Sequence, residues 1–271
     1  MAHPGQSFAG YVVGDELGRG GEATVYLARD PGRTPDLVAL KVLDVEHRNP
    51  SSVSRLAREY RIAARLRHRH IVTVYDHGPH WMTMQYVDGG KATGLTSLDT
   101  RLEALRQIAA ALDHAHRDGV VHSDVKPANI LVHQDFRKDG AVLIDFGVAH
   151  ILAEDVWHRP VQVVTSLPYA APELLQGRLP QAATDEYALA CTALELLTGT
   201  TPFDCDNPLA LVDAHMHLPP PEVSKTTPWL SRSFDMVLAR AIAKDPDRRY
   251  PSCTELVHHL AETVRGSAQN T

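Results

Sequence analysis

Hydrophobic and polar residues follow two different patterns, one before and one after about residue 88. In the first part, short apolar runs that alternate with polar residues are typical of β-strands. They predict a two-strand hairpin around glycines within 9–29 and further strands at 38–43, 71–74 and 82–86. Helical spacing of apolar residues occurs once here, at 51–66. The pattern therefore predicts a small sheet with one helix.

Helical spacing dominates the rest of the chain. The stretch 89–97 is rich in Gly, Thr and Ser and indicates a boundary between two lobes. Apolar stripes predict helices at 98–117, 184–197, 207–217, 231–243 and 252–264, and short β-branched runs predict buried strands at 130–132 and 142–144. We therefore predict an α+β fold with an N-terminal lobe at 8–88, a larger, mainly helical lobe at 89–264 and a tail at 265–271.

Composition excludes several classes of protein. An apolar content of 44% is ample for a core, and a net charge of -6 gives no reason to expect nucleic acid as a partner. The three cysteines and sixteen histidines lack the spacing of a zinc site, so none is expected, and a reducing compartment fits. No segment has the length of a membrane span and the amino terminus lacks a signal-peptide pattern, so we expect a cytoplasmic location.

Four polar residues lie at the ends of the two short strands. Asp124, Lys126 and Asn129 precede the first strand, and Asp145 follows the second. Carboxylates, an amide and a lysine on neighbouring loops fit phosphoryl transfer, where catalysis consists of positioning and charge neutralisation. Only six of the 27 basic residues are lysines, which makes lysine at 41 and at 126 a specific choice. Its compact ammonium group fits phosphate oxygens.

Several motifs occur in an order that resembles protein kinases. His122-Ser123-Asp124 with Asn129, followed by Asp145-Phe146-Gly147, resembles the catalytic and metal loops of that family. The glycine-rich stretch 17–27 resembles the phosphate-covering loop, although Ala23 replaces its third glycine, and Val38-Ala39-Leu40-Lys41 resembles the lysine-bearing strand. Ala171-Pro172-Glu173 resembles the motif that closes the activation segment, with Arg249 as the partner of Glu173. Over residues 11–264 the chain is similar to eukaryotic-like Ser/Thr protein kinases of bacteria.

The resemblance implies a two-lobed protein-kinase-like fold and a site between the lobes. The catalytic residues it implies are Asp124, Lys126, Lys41 and Glu59. The nucleotide-binding residues are Leu17, Gly18, Gly20, Gly21, Val25, Ala39, Lys41, Met84, Gln85, Val87, Asn129, Leu131 and Asp145. Asn129 and Asp145 would hold Mg²⁺, with Mn²⁺ as an alternative, and Asp185 would anchor the catalytic loop from below.

The implied function is an ATP-dependent protein serine/threonine kinase with a signalling role. Expected partners are protein substrates with Ser or Thr acceptors and, as an open alternative, a second copy of the chain in a homodimer. Such kinases in actinobacteria are often the intracellular domain of a longer membrane-anchored protein. Two other functions stay open, a pseudokinase that binds nucleotide as a scaffold and a phosphotransferase acting on small molecules.

Ser123 departs from the family pattern. Relatives carry an arginine here that holds a phosphate of the activation segment, and serine cannot replace its bidentate pairing. Residues 148–170 also contain only three hydroxyl groups, those of Thr165, Ser166 and Tyr169. We therefore hypothesise that activity does not depend on phosphorylation of this segment. Its apolar residues Ile151, Leu152, Val156 and Trp157 are expected to pack on the protein itself.

Overall fold

The structure is a computed structural model that describes residues 5–152 and 166–268. Its N-terminal part contains six strands: β1 (Ser7–Phe8), β2 (Tyr11–Arg19), β3 (Ala23–Arg29), β4 (Leu37–Leu43), β5 (Val74–Gly78) and β6 (Trp81–Gln85). They form one antiparallel sheet in the order β1-β2-β3-β4-β6-β5. The predicted hairpin is present as β2 and β3.

The strand register separates two faces of this sheet. Val25 lies opposite Lys41, and Ala39 lies opposite Met84, so these four side chains share one face. The alternate residues, among them Leu40, form a separate hydrophobic cluster on the other face. One face of the sheet therefore carries a lysine among apolar residues, whereas the other face forms a hydrophobic cluster.

Helix α1 (Pro50–Arg65) packs beneath the sheet. It begins where the side chain of Asn49 accepts a hydrogen bond of 3.0 Å from the amide of Ser52, with proline in the first turn. Leu56 packs with Ala23, Leu43 and Met82 of the sheet. This contact fixes the helix against the strands, with Glu59 on its buried side.

The prediction of a strand at 71–74 was wrong. The strand of the sheet begins at Val74, while Ile71 and Val72 are buried outside it. The amide of Val72 donates 2.9 Å to the carbonyl of Leu143, and the amide of Leu143 donates 2.9 Å to the carbonyl of His70. The apolar run therefore connects the sheet with the rest of the molecule, a pairing that local sequence does not reveal.

The C-terminal part is mainly helical. Its helices are α2 (Leu98–Arg117), α3 (Phe136–Asp139), α4 (Pro172–Leu175), α5 (Ala182–Thr198), α6 (Pro208–His217), α7 (Arg232–Ala241) and α8 (Cys253–Ala268). Its short strands are β7 (Val120–Val121), β8 (Ile130–Val132), β9 (Ala141–Leu143) and β10 (His150–Ile151), which pair as β7 with β10 and β8 with β9. The predicted α+β class is confirmed. No helix in residues 5–152 and 166–268 is long and apolar enough to cross a membrane.

One hydrophobic core extends through both parts. It includes Ala39 and Met84 of the sheet as well as Leu112 of α2 and Leu189 of α5. The limits predicted for the two lobes stay predictions, because this core is continuous across residue 88. At the crossing, a Cβ atom on Gly89 would lie 2.5 Å from the carbonyl oxygen of Val132, so only glycine fits there.

Candidate active site

Lys41 and Glu59 form a close ion pair beneath the sheet. The Nζ atom of Lys41 donates to both carboxylate oxygens of Glu59, at 2.6 and 2.8 Å. The same Nζ lies 3.7 Å from Oδ1 of Asp145. Burial alone lowers the pKa of Lys41, but the two carboxylates outweigh it and raise that pKa above its ordinary value. Lys41 is therefore a fixed positive charge at neutral pH.

Asp145 is held in an uncommon backbone conformation. Its φ angle is +67°, and its Oδ1 accepts 3.2 Å from the amide of Gly147. The charge of Lys41 lowers the pKa of Asp145. Phe146 is turned the other way, fully buried, with its ring edge against His122 at 4.8 Å between centroids. Because Phe146 is anchored in the core, the carboxylate of Asp145 faces Lys41 across the cleft.

Asp124, Lys126 and Asn129 form one hydrogen-bonded group. Oδ2 of Asp124 accepts from Nζ of Lys126 at 2.7 Å and from Nδ2 of Asn129 at 3.1 Å. Lys126 also donates 2.7 Å to the hydroxyl of Ser166, and Asn129 donates 2.9 Å to the carbonyl of Asp124. A carboxylate and an ammonium are thus fixed at the mouth of the cleft, both partly exposed.

Asp185 holds this group from below, as expected. The carboxylate is fully buried at the start of α5 and accepts from the amides of His122 at 2.8 Å and Ser123 at 2.7 Å. Nε2 of His116 donates a third bond of 2.7 Å. Burial opposes ionisation, but the bonds and charge of His116 and His122 lower the pKa of Asp185. The role of His116 was not predicted, because in the sequence it is only one position of a helical pattern.

These motifs agree with comparisons to known proteins. The model of the protein kinase domain matches residues 11–260. The chain belongs to the protein kinase family. The fold expected from the resemblance is therefore confirmed as well.

Similar kinases come from Mycobacterium tuberculosis. The serine/threonine-protein kinase PknJ is 42% identical over 284 residues, covering 99% of this chain and 48% of that protein. The serine/threonine-protein kinase PknF is 37% identical over 285 residues, covering 97% of this chain and 58% of that protein. The crystal structure of the PknI kinase domain has a TM-score of 0.73 and 34% identity, covering 97% of this chain and 99% of that one. The chain spans about half the length of the first two relatives.

The side chains predicted to surround the nucleotide lie on two surfaces of this kinase. Ala39, Met84 and Val87 belong to the continuous core, and Val25 and Leu131 pack against it. The predicted contacts of the phosphates are instead exposed; they are Leu17, Gly18, Gly20 and Gly21. Gln85 lies at the end of β6, where the N-terminal sheet leads into the helical part of the chain, and it is partly exposed. An apolar wall beside an open glycine loop has the shape that a purine and a phosphate chain require.

Ala23 explains how the glycine loop tolerates its departure from the family pattern. Its side chain is buried in the cluster with Leu43 and Leu56, beneath the loop. Its carbonyl accepts 2.8 Å from the amide of Gly20, which closes the loop. The methyl group points away from the open side and therefore does not obstruct a phosphate.

The donor set fits a hard divalent cation. Asn129 uses its amide nitrogen for Asp124, so its amide oxygen is available to a metal ion. The amide of Ile144 donates 2.9 Å to the carbonyl of Asn129, which holds the start of β8 beside Asp145. Carboxylate and amide oxygens are the ligands that Mg²⁺ prefers. Asn129 and Asp145 are therefore compatible with the metal site predicted for them.

Glu173 and Arg249 form the buried ion pair that the sequence predicted. The guanidinium donates to both carboxylate oxygens, at 2.9 and 2.8 Å, and both side chains are at most 2% exposed. Arg249 also donates to the carbonyls of Ala183 and Ala243. The pair joins the closing motif of the activation segment to the loop before α8.

Ser123 is buried without replacing the arginine of relatives. Its φ angle is +67°, it is 7% exposed, and among the described residues its hydroxyl has no hydrogen-bond partner. Of the residues predicted to matter in the activation segment, Thr165, Val156 and Trp157 lie outside the described residues. Ile151 is buried in β10, as expected, whereas Leu152 is 45% exposed.

Proposed function

We propose that this chain transfers the γ-phosphoryl group of ATP to serine or threonine hydroxyls of protein substrates. The observation that supports it best is the hydrogen-bonded group around Asp124. Its carboxylate is fixed by an ammonium and an amide beside the second carboxylate, Asp145. Relatives that are named serine/threonine-protein kinases support the same activity.

In the proposed reaction each charged side chain has one task. Lys41 would contact the α and β phosphates, because Glu59 keeps its ammonium charged and in place. Asp124 would accept a hydrogen bond from the acceptor hydroxyl and orient it for in-line attack. Lys126, with its hydrogen bond to Asp124, would neutralise charge on the group in transfer.

The nucleotide and metal complete the site. ATP would lie with adenine against Ala39, Met84 and Val87 and with its phosphates under Gly18–Val25. Asn129 and Asp145 would hold Mg²⁺, with Mn²⁺ as an alternative. A bound divalent ion supplies neutralisation of the phosphate oxygens when the γ-phosphoryl group departs. Since ATP is an intracellular nucleotide, we place the reaction in the cytoplasm.

A protein acceptor is favoured over a small molecule by one contact. The buried pair of Glu173 and Arg249 fixes the segment that follows Ser166, whose hydroxyl is bonded to Lys126. A rigid platform next to the reacting groups is what an extended polypeptide requires. A homodimer and membrane anchoring of a longer protein stay predictions.

The test uses the purified chain, Mg²⁺, labelled ATP and a generic basic protein. We expect label on Ser and Thr of the substrate, and its loss in Asp145→Asn. Asp204→Asn, which changes an exposed carboxylate outside the site, serves as the matched control and should retain activity. Nucleotide binding, measured by thermal shift, without transfer would instead favour a pseudokinase. Transfer to small molecules alone would contradict the protein substrate.

A further inference from the structure

Asp113, His116 and Cys253 meet where helix α2 packs against the start of α8. Asp113 and His116 lie three positions apart on α2 and share one face of it, and Cys253 is the first residue of α8. One ligand atom from each side chain lies within 4.8 Å of the others. Sequence spacing does not reveal this trio, because Cys253 follows His116 by 137 positions in the chain. We call it the α2–α8 cluster.

The cluster supplies the donors that Zn²⁺ takes. A thiolate, an imidazole nitrogen and a carboxylate oxygen are all common zinc ligands, and three protein ligands leave a fourth position for water. Cys253 is buried, while Asp113 and His116 are partly exposed, which gives an ion a path of entry.

His116 is oriented for a ligand by its second nitrogen. Its Nε2 donates 2.7 Å to the buried carboxylate of Asp185. In the neutral ring this leaves the lone pair on Nδ1. A carboxylate behind an imidazole is the usual support of a metal-bound histidine, because it fixes the tautomer and the ring plane.

Asp113 is fixed in the same way. Its two carboxylate oxygens accept from the amides of Cys253 at 2.9 Å and Thr254 at 3.0 Å, at the start of α8. Each oxygen keeps a lone pair for a further partner. The hydrogen bonds join the carboxylate to the residue that carries the thiol, so two of the three donors are held together before any ion binds.

The charge around the thiol favours a cation. The carboxylate of Asp113 belongs to the cluster, and the carboxylate of Asp185 accepts a hydrogen bond from its histidine. Two carboxylates beside the thiol attract a divalent ion, and the proton of the thiol would leave to solvent as the metal–sulfur bond forms.

We propose that the α2–α8 cluster binds a zinc-type transition-metal ion, separate from the Mg²⁺ of the cleft. Asp185 accepts hydrogen bonds from His116 of the cluster and from the amides of His122 and Ser123. One carboxylate therefore holds both the histidine ligand and the catalytic loop. The inference does not depend on the proposed kinase activity.

The test follows Co²⁺, which replaces Zn²⁺ and shows a charge-transfer band only when a thiolate binds it. We titrate the untagged, reduced chain with Co²⁺ and then add Zn²⁺. We expect one ion per chain, a thiolate band, and loss of the band when Zn²⁺ displaces Co²⁺. Metal bound only by histidines, for example the exposed His258 and the partly exposed His259, would give no such band.

Variants locate the sulfur ligand. Cys253→Ser should remove the band, whereas Cys191→Ser and Cys205→Ser, which change the other two free cysteines, should keep it. Asp113→Asn should weaken binding by about 100-fold or more, since even losing an outer hydrogen-bond partner costs about 10–100-fold. Circular dichroism checks each fold, and if Cys253→Ser does not fold, Asp113→Asn decides. The proposal would be overturned if the unmodified chain gave no band. It would also be overturned if Cys253→Ser or Asp113→Asn left the titration unchanged, or if Cys191→Ser or Cys205→Ser removed the band.

Discussion

The ammonium of Lys41 is bonded to both carboxylate oxygens of Glu59, at 2.6 and 2.8 Å, so a strand and a helix are joined directly above the cleft. The pair fixes where the positive charge lies. Among the described residues, the other carboxylate within 4 Å of that charge is Asp145, at 3.7 Å. The geometry of the phosphate site therefore depends on this one contact.

Glu59→Gln is expected to lower kcat/KM for ATP by about 100-fold, the scale of losing one charge-stabilising group. The neutral amide no longer holds Lys41, which would move towards Asp145. Steady-state kinetics with ATP as the varied substrate measure the effect. Glu46→Gln, an exposed glutamate outside the site, should match the unmodified chain. Equal kinetics for both variants would contradict the role given to Glu59.

Glu173→Gln is expected to lower the free energy of unfolding by about 3–5 kcal/mol, because it leaves the buried charge of Arg249 without its partner. Urea denaturation measures the change. Glu222→Gln breaks an exposed ion pair with Lys225, at 2.6 Å, and should cost at most about 1 kcal/mol. If the two variants lost similar amounts of unfolding free energy, burial would not be what makes the Glu173–Arg249 pair stronger than the exposed pair.

Ser123→Ala is expected to leave stability unchanged or to raise it by up to about 1 kcal/mol, because the buried hydroxyl has no partner among the described residues. Both side chains carry the same cost at the positive φ angle. Thermal and urea unfolding measure the difference. A clear loss of stability in Ser123→Ala would contradict the view that the hydroxyl contributes no hydrogen bond.

Thr165→Ala should retain turnover if activity does not depend on phosphorylation of the activation segment. The expectation rests on Ser123, which offers no guanidinium for a phosphate. Ser166→Ala is the informative comparison, because it removes the 2.7 Å bond to Lys126 and should lower kcat. A large loss in Thr165→Ala, reproduced by phosphatase treatment of the unmodified chain, would refute the hypothesis.

Glu186→Gln is expected to remove a pH dependence of stability. Burial raises the pKa of Glu186 to about 8 from an ordinary 4.5, although the amide of Tyr250 and nearby arginines act in the opposite direction. Between these values the folded chain binds more protons than the unfolded chain, so the free energy of unfolding falls as pH rises. Glutamine stays neutral, and its oxygen can keep the 3.1 Å bond from Tyr250.

Urea denaturation at pH 4 and pH 8 checks this prediction. The variant and the unmodified chain should be equally stable near pH 4, below the unfolded pKa, and the variant should be more stable at pH 8. His215 and Lys244 titrate alike in both proteins, so the difference between the two isolates Glu186. Parallel pH profiles would contradict the raised pKa.

Much of the fold follows from local sequence. Helix α2 has the predicted limits, Leu98–Arg117, because its apolar stripe is long and strongly periodic. The loop positions of Asp124, Asn129 and Asp145 were also predictable, since short apolar strands flank them. The chemical roles of these three residues stay predictions. The role of 70–72 was not, because a strand-like apolar run carries no mark of which partner it will pair with.

The sequence by itself determined most of the elements and the residues on which the proposed chemistry rests, because periodicity and motif spacing are local properties. Only the tertiary structure decided the contacts that no motif implies. It brought His116, Asp185 and Cys253 together from α2, α5 and α8. Such contacts depend on how helices pack around a shared core, and the free energy of that packing is distributed over the whole chain.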